Sequence, residues 1–532
     1  MIDGVVNLSL GHCKVPNRFR TIIYVMGAVT VGFLLRTANL HNQGVLLYDE
    51  GAFLVRAENF CRQLAGAGPA APYSYVDIKI AWVAALTVLR LLSDSLYFTQ
   101  LAVVFLSLLT IWQAYRFAFR LYASETIAFF TSLWMVVSFI HIMYSRIITP
   151  EQIVLFLGLL SFNGYLDTIA RRGRAPWLPG VSSALAWAAN LFRALTFPVF
   201  ILLLEIFKGR GDSWQVRVVR LVVYGAGLAA AFVLWNMLFY GGFKLFGIHL
   251  DGFWKGLFHN LQYNSVVRRG EWLTGFSFFY ILWIMEGWAA FAVFGYALLS
   301  KDCRRKAAFP LAAVTAHSLV FAFTALQVPR SFLILTPFFG IVYGIVFEDI
   351  LRQCRGGRLK AAVGGALVFT LLFAHVWGAR RVLQFNSALP LAVAVVKAEA
   401  PQAGILSTNS FNIQHYAGPG KFKEVNITYT LADLRRARDS GYRHLIMDQV
   451  KHVACSFDGD YNNTVLMPLF YLIETYCPAV RVGGHFNRDL MTWAALEGNQ
   501  KLSRTVYFIN SLKEDSGDIF IYPLEPCLEI LK

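Results

Sequence analysis

Leu178–Lys208 reads LPGVSSALAWAANLFRALTFPVFILLLEIFK, an apolar run with one arginine, Arg193, at its middle. A membrane-spanning helix needs about 20 predominantly apolar residues. The run is therefore open to two readings: two short spans, near 178–193 and 195–207, or one broken helix. The choice reverses the side of the membrane on which every later loop lies.

Charge separates the two readings. With the amino terminus inside and two spans here, the inner loops carry Arg116 and Arg120; Arg171, Arg172 and Arg174; Lys208, Arg210, Arg217 and Arg220; Lys301, Arg304, Arg305 and Lys306; then Arg352, Arg355, Arg358 and Lys360. Every basic cluster then falls on one face, as the bias of Lys and Arg toward cytoplasmic loops requires. Merging the segments would put the last two clusters outside, so they stay separate. Apolar runs near 21–39, 97–116, 125–144, 152–170, 178–193, 195–207, 218–240, 277–299, 307–327, 331–349 and 361–379 then make about eleven transmembrane helices.

Composition agrees: 57% of the 532 residues are hydrophobic and 15% charged, more apolar than a water-soluble chain can bury. The net charge of +16 sits in short clusters between apolar runs, the signature of membrane-protein loops and not of a nucleic-acid partner. Lys14, Arg18 and Arg20 precede an apolar segment that reaches Arg36 without a small-residue cleavage site. It reads as a retained first span behind a cytoplasmic amino terminus, 1–20.

The first outer loop, 40–96, is long enough to be functional. Within LLYDEGAFLVRAENF (Leu46–Phe60) and the residues after it, Phe53, Ala57, Phe60 and Leu64 share one helical face, with Arg56, Asn59 and Gln63 opposite. That is the pattern of a helix lying in the membrane interface. KIAWVAALTVLRLL, Lys79–Leu92, is too short to span and reads as a second interfacial or partly inserted helix. From 380 to 532 short apolar runs (GILST, HLIMD, AVRVGGHF, IFIYPL) alternate with helical segments (LADLRRARDS, LFYLIETY). The expected fold is thus an all-α polytopic membrane domain, 21–379, followed by a soluble extracytoplasmic α/β domain. Cys455, Cys477 and Cys527 lie in that second part, open to one disulfide or to free thiols. Neither CxxC nor HExxH occurs, and Asn426 and Asn462 are N-x-T sequons.

Three carboxylate and cation clusters fall at the same outer level of this topology. The first is Asp49 with Glu50; the second is Asp77 and Lys79 in YVDIKIAW; the third is Arg146 and Glu151 in YSRIITPEQIVLF. Each has a plain structural reading: a solvated turn for the DE pair, and for Glu151 the first turn of a helix, where the dipole favours a carboxylate. Their coincidence on consecutive outer loops points to a site.

This ordered set, with Arg193 in NLFRALTFP and Arg330 in VPRSFLILTPFFG, resembles the GT-C glycosyltransferases, most closely the protein O-mannosyltransferase-like group and the lipid A aminoarabinose transferases. Asp49 matches the first aspartate of the family's DE motif, which implies a catalytic base, with Glu50 beside it. Lys79 matches the lysine before the juxtamembrane helix, although Ile80 and Ala81 replace the usual two prolines. Glu151 stands where the family commonly has aspartate. Arg193 is similar to the basic residue of a T-K-G-like turn and Arg330 to the arginine of an R-Y-L-L-P signature. The resemblance implies inverting transfer of a sugar from a polyprenyl-phosphate donor, its tail in the membrane lipid, to a hydroxyl of a glycan, lipid or protein acceptor outside. Asp49, Glu50 and Glu151 would be the catalytic group, and Lys79, Arg193, Arg330 and Arg146 would bind the donor phosphate, with Asp77 behind them and Glu286, a departure from the family, a second candidate there. A divalent metal is left open.

Glu286, in FFYILWIMEGWAAF, is an intramembrane carboxylate, expensive enough to be functional by default; a hydrogen bond to a neighbouring tryptophan or tyrosine is the plainer account. His141 and His317 read as packed residues, not metal ligands. Two other functions compete: a secondary transporter, which predicts internal repeats and broken helices that the sequence does not display, and an inactive binding protein for lipid-linked sugars.

Overall fold

The computed structural model describes residues 18–66, 74–245, 255, 257–258, 289–322, 329–418, 422–425, 429–448, 467–485 and 517–531. Four of the described helices are long and apolar enough to cross a membrane: Leu96–Tyr122, Glu151–Ala170, Trp214–Leu245 and Arg330–Gln353. The chain is an integral membrane protein. Most of the run expected near 277–299, Glu286 included, lies outside the described residues, as do Cys455 and both sequons.

The run that decides the topology is sharply bent. Trp177–Ala194 and Phe197–Gly211 meet at 101°. Asn190 leaves helical geometry (φ −163°, ψ 95°), and Pro198 lies in the first turn of the second helix, where a missing N–H is no loss. Arg193 is carried into this corner.

A second expected span, 125–144, is also interrupted. Ser138 takes ψ 123° and divides it into Glu125–Val137 and Phe139–Tyr144. No Pro or Gly marks the break. The fully buried Arg36 supports it, donating 3.1 Å bonds to the carbonyls of Met135 and Val136 and a 2.7 Å bond to His141 Nδ1. Backbone groups that lose helical partners in an apolar interior must find others, and here a guanidinium supplies them. Gly340 and Gly344 bring Thr336–Gln353 tightly onto Glu125–Val137: added Cβ atoms would lie 2.9 Å from the Thr131 oxygen and 2.6 Å from the Ile127 oxygen. Small residues one turn apart are how helices in lipid approach closely.

The outer-loop helices form at Tyr48–Leu64 and Ile80–Leu92. Phe53, Ala57 and Phe60 are buried as expected, but so are Arg56 and Gln63 on the face expected to meet water. For Arg56 the reason is an ion pair: its Nε and Nη2 grip Asp77 at 2.8 and 3.0 Å.

Beyond 380 the described residues build one five-stranded sheet of order β2-β1-β3-β5-β4. The strands are β1 (Gly404–Ser407), β2 (Phe422–Glu424), β3 (Tyr442–Asp448), β4 (Val480–Val482) and β5 (Ile519–Pro523). β1 pairs in parallel with β2 and β3, and β5 is antiparallel to β3 and β4. Period-2 alternation sends Leu445 and Met447 to a core shared with Leu434 and Ile473, and Ile446 to the opposite core with Val393 and Ile413. Cys477 and Cys527 form a disulfide, Cα–Cα 4.7 Å.

Candidate active site

Five side chains from distant parts of the chain meet at one place. Glu151 opens Glu151–Ala170 and is buried; its Oε1 lies 3.6 Å from Arg193 Nε and 3.9 Å from Arg330 Nε. Arg330, in the 3₁₀ turn Pro329–Leu335, also pairs through Nη1 with Asp49 Oδ2. Lys79 precedes the first turn of Ile80–Leu92, its ammonium 4.9 Å from the Phe53 ring centroid. Burial lowers the Lys79 pKa to about 8, opposed by attraction to Asp49 and Glu151 and reinforced by repulsion from Arg330 and Arg193. Among the described residues three cations and two carboxylates thus meet.

The corner around Arg193 is locked by hydrogen bonds. Its Nη1 donates to Ser331 Oγ. His317 Nε2 donates to the Ser331 carbonyl at 3.0 Å, which leaves Nδ1 to accept from the Thr196 hydroxyl at 3.0 Å. His317 is therefore packed and satisfied, as expected, yet it braces both strands of the corner. Glu151 Oε2 is buried without a hydrogen-bond partner among the described residues, so an acceptor remains available in the site. Asp49, with 15% side-chain exposure against 1% for Glu151, is the carboxylate an incoming group can reach.

Such a cluster can neutralise a phosphate while holding a carboxylate near the atom the phosphate leaves. Among the described residues, no three of His, Cys, Asp and Glu are grouped as a metal would need.

No family model and no curated protein matches the chain. Among solved structures, ArnT from Cupriavidus metallidurans bound to undecaprenyl phosphate superposes with TM-score 0.54 at 12% identity, over 83% of this chain and 95% of that one. The Archaeoglobus fulgidus oligosaccharyltransferase in complex with Zn and sulfate gives 0.54 at 10% identity, over 86% and 71%. The fold is that of the GT-C glycosyltransferases.

Within this GT-C fold Glu50, Arg146 and Asp77 pair outside the cluster, and Glu286 lies outside the described residues. Glu50 is fully buried and turned from the cluster; its carboxylate accepts the N–H groups of Leu46 (2.8 Å), Leu47 (2.9 Å) and Ile148 (2.7 Å), tying the first outer loop to the segment before Glu151. Burial raises its pKa to about 7, against the pull of those three N–H groups. Arg146, expected at the phosphate, bonds instead to Gln43 Oε1 (2.8 Å) and to the carbonyls of Ala38 (2.7 Å) and Arg36 (3.2 Å), where it caps the exit of the first helix. Asp77 is committed to Arg56 and so supports the loop that carries Lys79. Sequence reasoning missed Ser331 and Thr196, although Ser331 adjoins Arg330.

Proposed function

We propose that this chain is an inverting glycosyltransferase, moving a sugar from a polyprenyl-phosphate donor to an acceptor hydroxyl of a glycan, lipid or protein on the outer face of the membrane. The observation that carries the reading is the meeting of Asp49, Lys79, Glu151, Arg193 and Arg330 in a GT-C fold. The solved ArnT structure, bound to undecaprenyl phosphate, supports a donor of that class. Arg330, Arg193 and Lys79 hold the donor phosphate and offset the charge that develops on it as the bond to the anomeric carbon breaks. Asp49 takes the proton of the acceptor hydroxyl as its oxygen attacks that carbon from the opposite face. Glu151 holds the two guanidiniums in place and keeps Oε2 for a hydroxyl of the sugar.

The same proposal assigns 21–379 to the catalytic membrane domain, with the amino terminus cytoplasmic and 380–532 extracytoplasmic. The one-sided basic clusters support it, as does the Cys477–Cys527 disulfide, a bond of oxidising compartments. The decisive experiment supplies membranes containing the protein with radiolabelled polyprenyl-phosphate sugars and follows label into lipid, glycan and protein fractions. Transfer by wild type and not by Asp49→Asn is expected; equal label in both refutes the reaction. The bends at Ser138 and Arg193 also suit a secondary transporter, so uptake of labelled sugar into sealed vesicles without transfer would replace this reading. A reporter fused after Lys532 and active only in the cytoplasm would overturn the orientation.

A further inference from the structure

The turn that leads into Asp49 is held in large part from beyond residue 380. Along 43–47 the backbone is anchored group by group. The Gln43 carbonyl accepts from the Ser387 N–H at 2.9 Å, the Gly44 carbonyl from Gln100 Nε2 at 3.1 Å, and the Val45 N–H donates to the Tyr416 hydroxyl at 2.6 Å. Two of these three partners lie beyond residue 380. The Ser410–Ala417 helix, which follows β1, packs along Tyr48–Leu64 and presents Asn412, His415 and Tyr416 from one face, at the i, i+3 and i+4 spacing of a helical surface.

Each of the three meets a specific feature of the loop. His415 Nδ1 lies 2.9 Å from Glu58 Oε1, which Arg90 also holds at 3.2 Å. Gly51 sits inside a helix, where glycine is unfavourable relative to alanine. Asn412 accounts for it: a Cβ at Gly51 would lie 1.9 Å from Asn412 Oδ1 and 2.7 Å from the Asn412 backbone nitrogen. Tyr416 is largely buried over Gly44 and Val45, and burial together with the charge of Glu50 holds its phenol protonated.

We propose that the Ser410–Ala417 helix positions Asp49, with the Tyr416 hydroxyl fixing the turn before it and Asn412 fitted against Gly51 after it. The inference rests on Asp49 being the base. It assigns the sheet-bearing region a direct part in turnover, because a reacting group displaced by about 1 Å loses on the order of a hundredfold in rate.

The test uses Tyr416→Phe, which keeps the ring and removes only the hydroxyl. In the full-length protein, amide hydrogen exchange over 44–47 should accelerate, and sugar transfer should fall about ten- to a hundredfold with the donor KM unchanged. In an Asp49→Asn background the same change should lower transfer no further, since a positioning residue has nothing left to position; a loss of general stability would multiply through. Unchanged exchange over 44–47, or a full additional loss in the Asp49→Asn background, overturns the proposal. Gly51→Ala provides an independent variant with the same expected pattern. Adding Asn412→Ala should restore only part of its activity, because the clash with the backbone nitrogen remains; full wild-type behaviour of Gly51→Ala counts against the fit. If the wild type transfers no sugar, the exchange measurement still decides whether Tyr416 anchors the turn, and the failure belongs to the activity.

Discussion

Replacing Arg330 by alanine removes the residue that links the two carboxylates of the site. Its guanidinium pairs with Asp49 and lies 3.9 Å from Glu151, so the cluster loses both that link and one of its cations. A hydrogen bond to a charged group contributes about 1.5–3 kcal/mol. At about 1.36 kcal/mol per tenfold, donor affinity should weaken about 10- to 150-fold. Arg330→Lys keeps the charge but not the planar fork, and should recover only part of the loss. The assay is equilibrium binding of a labelled polyprenyl-phosphate sugar to purified protein at fixed ionic strength, with Arg193→Ala alongside. Folded Arg330→Ala and Arg193→Ala proteins that bind donor as tightly as wild type would refute a phosphate role for both.

Asp49→Asn should reduce single-turnover transfer by about 10²- to 10⁴-fold with donor binding retained; near-normal transfer would make Asp49 a loop residue. Glu50→Gln should lose less turnover but about 1–3 kcal/mol of stability, because an amide presents N–H where a backbone N–H needs an acceptor; an unchanged unfolding midpoint would contradict the clamp. Lys79 is charged below its pKa of about 8 and neutral above it, so donor affinity should fall as pH rises through that value, and Lys79→Arg should abolish the dependence. A flat wild-type profile from pH 7 to 9.5 would exclude Lys79 from phosphate binding. Cys477→Ser opens a link between residues 50 apart and should destabilise the protein by about 2–4 kcal/mol, an effect that reductant should reproduce on wild type and leave absent in the variant.

The residues that meet in the cluster were legible because a charge in an apolar chain is conspicuous. Asp49, Lys79 and Glu151 lie beside hydrophobic runs, where hydropathy and side assignment bring them to one level; Arg193 and Arg330 joined them through the resemblance to the GT-C motifs. Their neighbours were not separable in this way. Asp49 and Glu50 are adjacent carboxylates, and only helical geometry, which rotates successive side chains by about 100°, sends one to Arg330 and the other to backbone N–H groups. Arg146 and Arg36 carry the same charge as Arg193, but their partners are carbonyls, which every residue owns and no pattern marks. The strands lie in the apolar runs GILST, HLIMD and IFIYPL, while their order depends on pairings between segments that no local pattern joins, and the docking of Tyr416 onto Val45 on a contact 371 positions apart.

The Arg36 support of the break at Ser138 bears on how the protein is assembled. Carbonyls of Met135 and Val136 left bare in hydrocarbon would each cost several kcal/mol, and the donor that relieves them belongs to the first helix, about a hundred residues earlier. The third apolar segment should thus insert poorly by itself and well beside the first helix. The expected consequence is an order of assembly, with the first helix held at the translocation site until 125–144 emerges. A defect at Arg36 would then show up as loss of protein during synthesis, before any question of catalysis arises.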